Sequence, residues 1–163
     1  MKRTLRLLYS TTAQIGAGVA VSQWCARLPV VGKALSVLID NVMLALYGIE
    51  LASRSLQVKK LIVGHSTGVV LGGNGIRCTG TLHLSSGVVF ARRMARNGEV
   101  EPEHFFDIDG DLFVGANSVL LGPLKIKGPT TIGALTLVSK DIEEPGTYVG
   151  MPARRLDSPA TLA

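Results

Sequence analysis

Residues 108–142 read IDGDLFVGANSVLLGPLKIKGPTTIGALTLVSKDI. Ile108, Val114, Leu120, Ile126, Ile132 and Val138 stand six places apart. Four places beyond each come Leu112, Ser118, Leu124, Thr130, Thr136 and Ile142, all small or apolar. A helix repeats every 3.6 residues and a strand alternates in twos, so neither demands an aliphatic residue at every sixth place. Short flat strands joined by tight turns do, because each turn returns an equivalent residue to the same interior edge. The spacing predicts a hexapeptide-repeat parallel β-helix, an all-β solenoid whose aliphatic layers stack coil on coil.

The period also runs through Val70, Ile76, Leu82 and Val88, out of phase with the later stretch. Residues 91–107 separate the two, with Arg92, Arg93, Arg96, four acids and Pro102 and no six-fold pattern. They read as one extruded loop, and a long loop in a compact repeat usually carries function. Upstream, residues 2–27 and 34–47 read as helices punctuated by Pro29 and Gly32. The second, ALSVLIDNVMLALY, is apolar nearly all round and is expected to be buried or to lie on a membrane. The division predicted is a helical segment over 1–47, a β-helix domain over 48–156 and a tail over 157–163.

Of 163 residues 19 are glycine and only eight are aromatic, as a turn-rich β protein requires. Residues 1–33 carry Lys2, Arg3, Arg6, Arg27 and Lys33 and no acid, while the other twelve bases balance all twelve acids. The basic excess therefore belongs to the N-terminal segment. No basic face interleaved with aromatics points to nucleic acid. Ser10, Thr11, Thr12 and Gln14 interrupt the first apolar stretch, and no run reaches the roughly 18 apolar residues of a membrane span. A basic, apolar helix pair resting on anionic lipid remains a reading of residues 1–47. Cys25 and Cys78 form no framework or zinc spacing and read as buried thiols in a reducing cytoplasm.

Three further segments resemble the hexapeptide-repeat acyltransferases, within them the serine acetyltransferase-like branch, over about residues 48–156. Gly48-Ile49-Glu50-Leu51 followed by Gly64-His65-Ser66-Thr67-Gly68 is similar to the family's acid-bearing strand and His-x-Thr-Gly motif. Val114-Gly115-Ala116-Asn117-Ser118 and Ile132-Gly133-Ala134-Leu135-Thr136 resemble its Ile-Gly-Ala segments. Ser139-Lys140-Asp141-Ile142 and Val149-Gly150-Met151-Pro152-Ala153-Arg154 resemble its C-terminal signature. The resemblance implies left-handed winding, a fold exempt from the right-handed crossover rule. It also implies a homotrimer or a hexamer built of trimers, with active sites at subunit seams, and acetyl-CoA as acyl donor.

The residues suit that chemistry. An alcohol attacking a thioester needs a base, and imidazole titrates in the right range. A carboxylate on the other ring nitrogen fixes the tautomer and stabilises the imidazolium. His65 and Glu50, fifteen residues apart, nearly complete one turn of an eighteen-residue coil and so fall on adjacent coils. Gly72, Gly73 and Gly75 are candidate backbone donors to an oxyanion. By the resemblance, Ala116 and Ala134 offer amides to the pantetheine arm, Ser139 and Lys140 lie at its distal end, and Arg154, with Arg155 as its adjacent alternative, lies near the nucleotide.

His83 reads as a coil residue. His104, Arg92 and Phe105 are candidate acceptor contacts in the loop; the family's loop histidine aligns with Phe105, one place beyond His104. The three histidines are spaced eighteen and twenty-one residues apart, which does not match a β-helix zinc site, so no metal is expected. Gly64 stands where serine acetyltransferases carry a serine-binding aspartate, and the large helical domain of those enzymes is replaced by about 47 residues. These departures favour a sugar or polysaccharide intermediate as acceptor, with L-serine second. A non-catalytic β-helix scaffold is the rival of another class. The location expected is cytoplasmic, at the inner face of the membrane if residues 1–47 touch lipid.

Overall fold

The computed structural model describes residues 10–72, 75–93 and 105–155. The described residues open with two helices, α1 (Thr11–Cys25) and α2 (Gly32–Tyr47). Ser10 caps α1, its hydroxyl accepting from Ala13 N at 3.3 Å. Residues 2–9, expected to be helical, lie outside the described residues, and α2 begins at Gly32 rather than 34.

Thirteen strands follow: β1 (Ile49–Leu51), β2 (Leu56–Val63), β3 (Val69–Gly72), β4 (Ile76–Leu84), β5 (Val89–Arg92), β6 (Phe106–Asp109), β7 (Leu112–Val114), β8 (Val119–Gly122), β9 (Leu124–Lys127), β10 (Thr130–Ile132), β11 (Leu137–Val138), β12 (Gly146–Val149) and β13 (Arg154–Arg155). They form one sheet in the order β1-β3-β5-β8-β11 and another in the order β13-β12-β10-β7-β4-β6-β9, with β2 beside β4. Every pairing is parallel except β12 with β13.

The registers display the period. Val119 stacks on Leu137, Phe106 on Leu124 and Leu112 on Thr130, eighteen residues on in each case. Ile49 stacks on Val69 and Leu56 on Ile76, twenty residues on. Val89 stacks on Val119 and Ile76 on Phe106, thirty residues on, so the inserted segment leaves the ladder intact on both sides. The insertion is narrower than 91–107. β5 stays paired through Arg92, Arg93 N reaches Gly122 O at 2.8 Å, and pairing resumes at Phe106.

Both predicted columns point inward. Ile108, Val114, Leu120, Ile126, Ile132 and Val138 are buried, and so are Leu112, Ser118, Leu124, Thr130, Thr136 and Ile142. Each fully buried Leu or Ile contributes about 1.5–3 kcal/mol. Ser118 is satisfied inside, donating to Gly133 O at 2.7 Å and accepting from Thr136 N at 3.2 Å. In the earlier stretch the phase differs by one: Val69 is buried and Val70 is half-buried. The inward column there runs Val63, Val69 and then Ile76, Leu82, Val88, with seven places rather than six between Val69 and Ile76.

The same corner of successive passes is left-handed at Gly68, Gly87, Asn117 and Leu135, with φ of 73°, 67°, 56° and 55°. Glycine takes this conformation freely, while Asn and Leu are held in it by the stack. Below, the helices close one end of the barrel-like core. Ile15 and Met43 join its hydrophobic cluster, Thr12 Oγ1 donates to Val63 O at 2.6 Å, and Gln23 Nε2 donates to Ser53 O and Leu56 O, both at 2.8 Å. Of α2, expected to be buried or to lie on a membrane, only one side is buried within the chain: Gly32, Ser36, Asp40 and Met43 are buried, whereas Leu35, Val37, Leu38, Val42, Leu44 and Leu46 are exposed.

Candidate functional site

Glu50 is the middle residue of β1. Strand alternation buries Ile49 and Leu51 and turns Glu50 outward. It pairs with Val70, and the register slips between Glu50 and Leu51. Such irregularities re-aim a side chain next to functional sites. His65 lies in the turn between β2 and β3. That turn is fastened to the Glu50 strand by Gly68 N donating to Gly48 O at 3.0 Å, and is closed by Val69 N donating to Ser66 O at 3.1 Å. The histidine and the carboxylate thus sit on adjacent passes, both exposed. Among the described residues no hydrogen bond or ion pair joins them.

His83 stands beside this turn. It lies in β4 between Ile62 and Phe113, and its ring meets Phe113 edge-on with centroids 4.8 Å apart. A methyl on Gly64 would come within 3.5 Å of His83 Nε2. The space an aspartate would occupy at position 64 is therefore bounded by an imidazole. Sequence reading takes His83 for a plain coil residue, and its eighteen-residue distance from His65 is the signal that would have placed it one pass away.

Of the candidate oxyanion donors, Gly72 and Gly75 are left-handed, with φ of 58° and 66°, and Gly73 lies outside the described residues. In the loop region, the Arg92 guanidinium covers the Phe105 ring at 4.6 Å. Phe105 is buried, and its carbonyl accepts from Leu124 N at 2.9 Å. Two of the three predicted acceptor contacts thus meet each other at the base of the loop. His104, the third, lies outside the described residues.

The residues expected around the acyl donor form two groups. Ala116 and Ala134 stack one pass apart, with Leu135 N donating to Ala116 O at 2.9 Å. Neither alanine's N–H is among the bonded donors of the described residues. The packing here is close: a methyl on Gly115 would stand 2.6 Å from the Ala134 nitrogen. Ser139, Lys140 and Arg154 line one surface pocket together with Asp141, Tyr148 and Ala153. Two bases converge there. Arg155 turns instead to Glu144, with which it makes an ion pair. No group of three His, Cys, Asp or Glu side chains able to hold a metal occurs among the described residues.

No family model matches the chain. A serine acetyltransferase of Synechococcus elongatus is 28% identical over 136 residues, covering 82% of this chain and 52% of the relative. One from Staphylococcus epidermidis is 30% identical over 107 residues, covering 64% and 47%. Over these stretches the chain is similar to serine acetyltransferases. It spans about half the length of these relatives. The fold agrees. The Vibrio cholerae serine acetyltransferase superposes with a TM-score of 0.75 at 20% identity, over 97% of this chain and 58% of that one. The soybean enzyme solved with serine gives 0.72 at 20% identity, over 93% and 60%. The chain therefore shares the fold of these enzymes.

Proposed function

We propose that this chain is an acetyl-CoA-dependent O-acetyltransferase, wound as a left-handed β-helix of hexapeptide repeats, with L-serine as its first acceptor. The observation that carries the reading is the bond between Gly68 and Gly48, which fastens the His65 turn to the strand of Glu50. The relatives favour serine over the sugar expected on sequence, since the two described above are both serine acetyltransferases.

In this mechanism His65 takes the proton of the acceptor hydroxyl as its oxygen attacks the thioester carbonyl. Glu50 holds the tautomer and stabilises the imidazolium. Backbone N–H groups of the glycine-rich segment receive the oxyanion. The tetrahedral intermediate expels the coenzyme thiolate, which takes the proton back from His65. The Ala116 and Ala134 amides hold the pantetheine arm, and Lys140 and Arg154 meet phosphate as charge-assisted donors. Both members of the dyad are exposed in one chain, as a site completed at a seam between copies requires.

Thiol release from acetyl-CoA, screened over L-serine, sugars and nucleotide sugars, tests the reading. Serine-dependent release is expected, falling by about 10² or more in His65→Ala and less in Glu50→Gln. Release with sugars alone would make Gly64 the mark of a different acceptor. Absence of acetyl-CoA binding would leave a non-catalytic scaffold, and wild-type turnover in His65→Ala would remove the base assignment.

A further inference from the structure

Of the fourteen exposed large apolar side chains among the described residues, eleven lie between Val21 and Leu46. They are not scattered. Val21 and Trp24, at i and i+3, lie on one side of α1, Leu28 lies in the turn just after it, and Leu35, Leu38 and Val42 follow the i, i+3, i+7 spacing along one side of α2. The turn between the helices completes the patch. Val30 there is wholly exposed, at 101%, and holds φ at 68°. A β-branched residue rarely adopts that conformation, and in this turn it directs the side chain away from the rest of the molecule.

Charge decides what covers this face. Arg27 and Lys33 flank the turn and are exposed. The sole acid of residues 1–47 is Asp40, which is buried and hydrogen-bonded to Ser22 and Ser53. The exposed apolar face therefore carries positive charge alone. A second copy docked face to face would set like charges opposite one another with no exposed acid to pair them. A protruding apolar tip also lacks the concavity that seats a partner's side chains. A soft, negatively charged interface meets both demands: apolar tips enter the acyl boundary and the bases meet headgroup phosphate. Tryptophan beside such a tip suits the headgroup level.

We propose that the α1–α2 turn, with the sides of the two helices next to it, docks the protein on an anionic lipid bilayer. This inference is independent of the acyl-transfer reading.

Trp24 is the chain's one tryptophan and reports directly on the contact. Full-length protein is titrated with vesicles of phosphatidylcholine containing phosphatidylglycerol, and with pure phosphatidylcholine. The expected result is a blue shift of emission and protection from acrylamide with the anionic vesicles, weaker with the neutral ones and reduced by salt. Val30→Asp, at a position without packing, should lower vesicle co-sedimentation by about tenfold or more while circular dichroism is unchanged. A second variant, Arg27→Gln with Lys33→Gln, should weaken binding to anionic vesicles alone. Unchanged emission with both vesicle types overturns the proposal. So does a blue shift that follows protein concentration without vesicles, since that outcome assigns the face to a second copy.

Discussion

Cys78 lies under the first stacked layers, and its thiol donates to Gly110 O at 3.4 Å. Burial pushes its pKa up; a bond from the Gly80 backbone works the other way, and the negative Asp111 adds to the rise. The folded state therefore holds the proton more tightly than the unfolded chain. The stabilisation this brings is complete below the ordinary thiol range and is lost as pH rises through the folded value. Native protein at neutral pH should leave Cys78 unlabelled by a thiol reagent that modifies it fully in urea, which mass spectrometry of the labelled peptide reads out. Cys78, read from sequence as a buried thiol, is buried. The one-residue slip at Val69 and Val70 was not legible. It lies in how successive passes register, and no local residue preference states that. The approach of His83 Nε2 to Gly64 was hidden for a related reason: it joins residues on adjacent passes whose stacking the slip displaces.

At the scale of elements, one carboxylate ties the helices to the sheets. Asp40 Oδ1 accepts from Ser22 Oγ at 2.9 Å and Ser53 Oγ at 2.6 Å, and Oδ2 accepts from Ser53 N at 3.0 Å. Ser22 and Ser36 share a further bond of 2.8 Å. α1, α2 and the short turn before β2 thus meet at one satisfied polar centre. Asp40→Ala strands the two Ser53 donors in a closed interior, the Ser22 hydroxyl keeping Ser36 O at 3.2 Å as an acceptor, and should cost about 3 kcal/mol, with Asp40→Asn milder; urea unfolding curves measure both. Sequence located the two helices because their apolar runs and the Pro29–Gly32 break are local. It left the surroundings of α2 open between burial and a membrane, since an all-round apolar helix does not say whether the chain itself supplies a cover. Asp40, one charge in an apolar run, carried no sign of its three partners.

For the whole molecule, the six-residue column was legible because stacking repeats one simple demand: every inward position must be small or aliphatic. All twelve such positions from Ile108 to Ile142 are buried. What stacking does not encode is the number of chains. The exposed His65 and Glu50, together with amides unpaired at Ala116 and Ala134, are the surfaces on which a seam would form. Sedimentation equilibrium should give about three times the mass of one chain, or twice that for paired trimers. A monomer with full acetyl-CoA turnover would show the site to be complete in a single chain.

The thirty-residue step from Val89 to Val119 has a consequence of its own. Parallel pairing enters and leaves that step undisturbed, and Arg92 laid over Phe105 pins its two ends together. Whatever sequence fills the interval, the layers on either side keep their places. Changes of length or sequence within the interval therefore leave the registers of the flanking passes to their own ladder bonds. The step is a natural graft point, and a transplanted insertion needs to match only its Arg–Phe clasp.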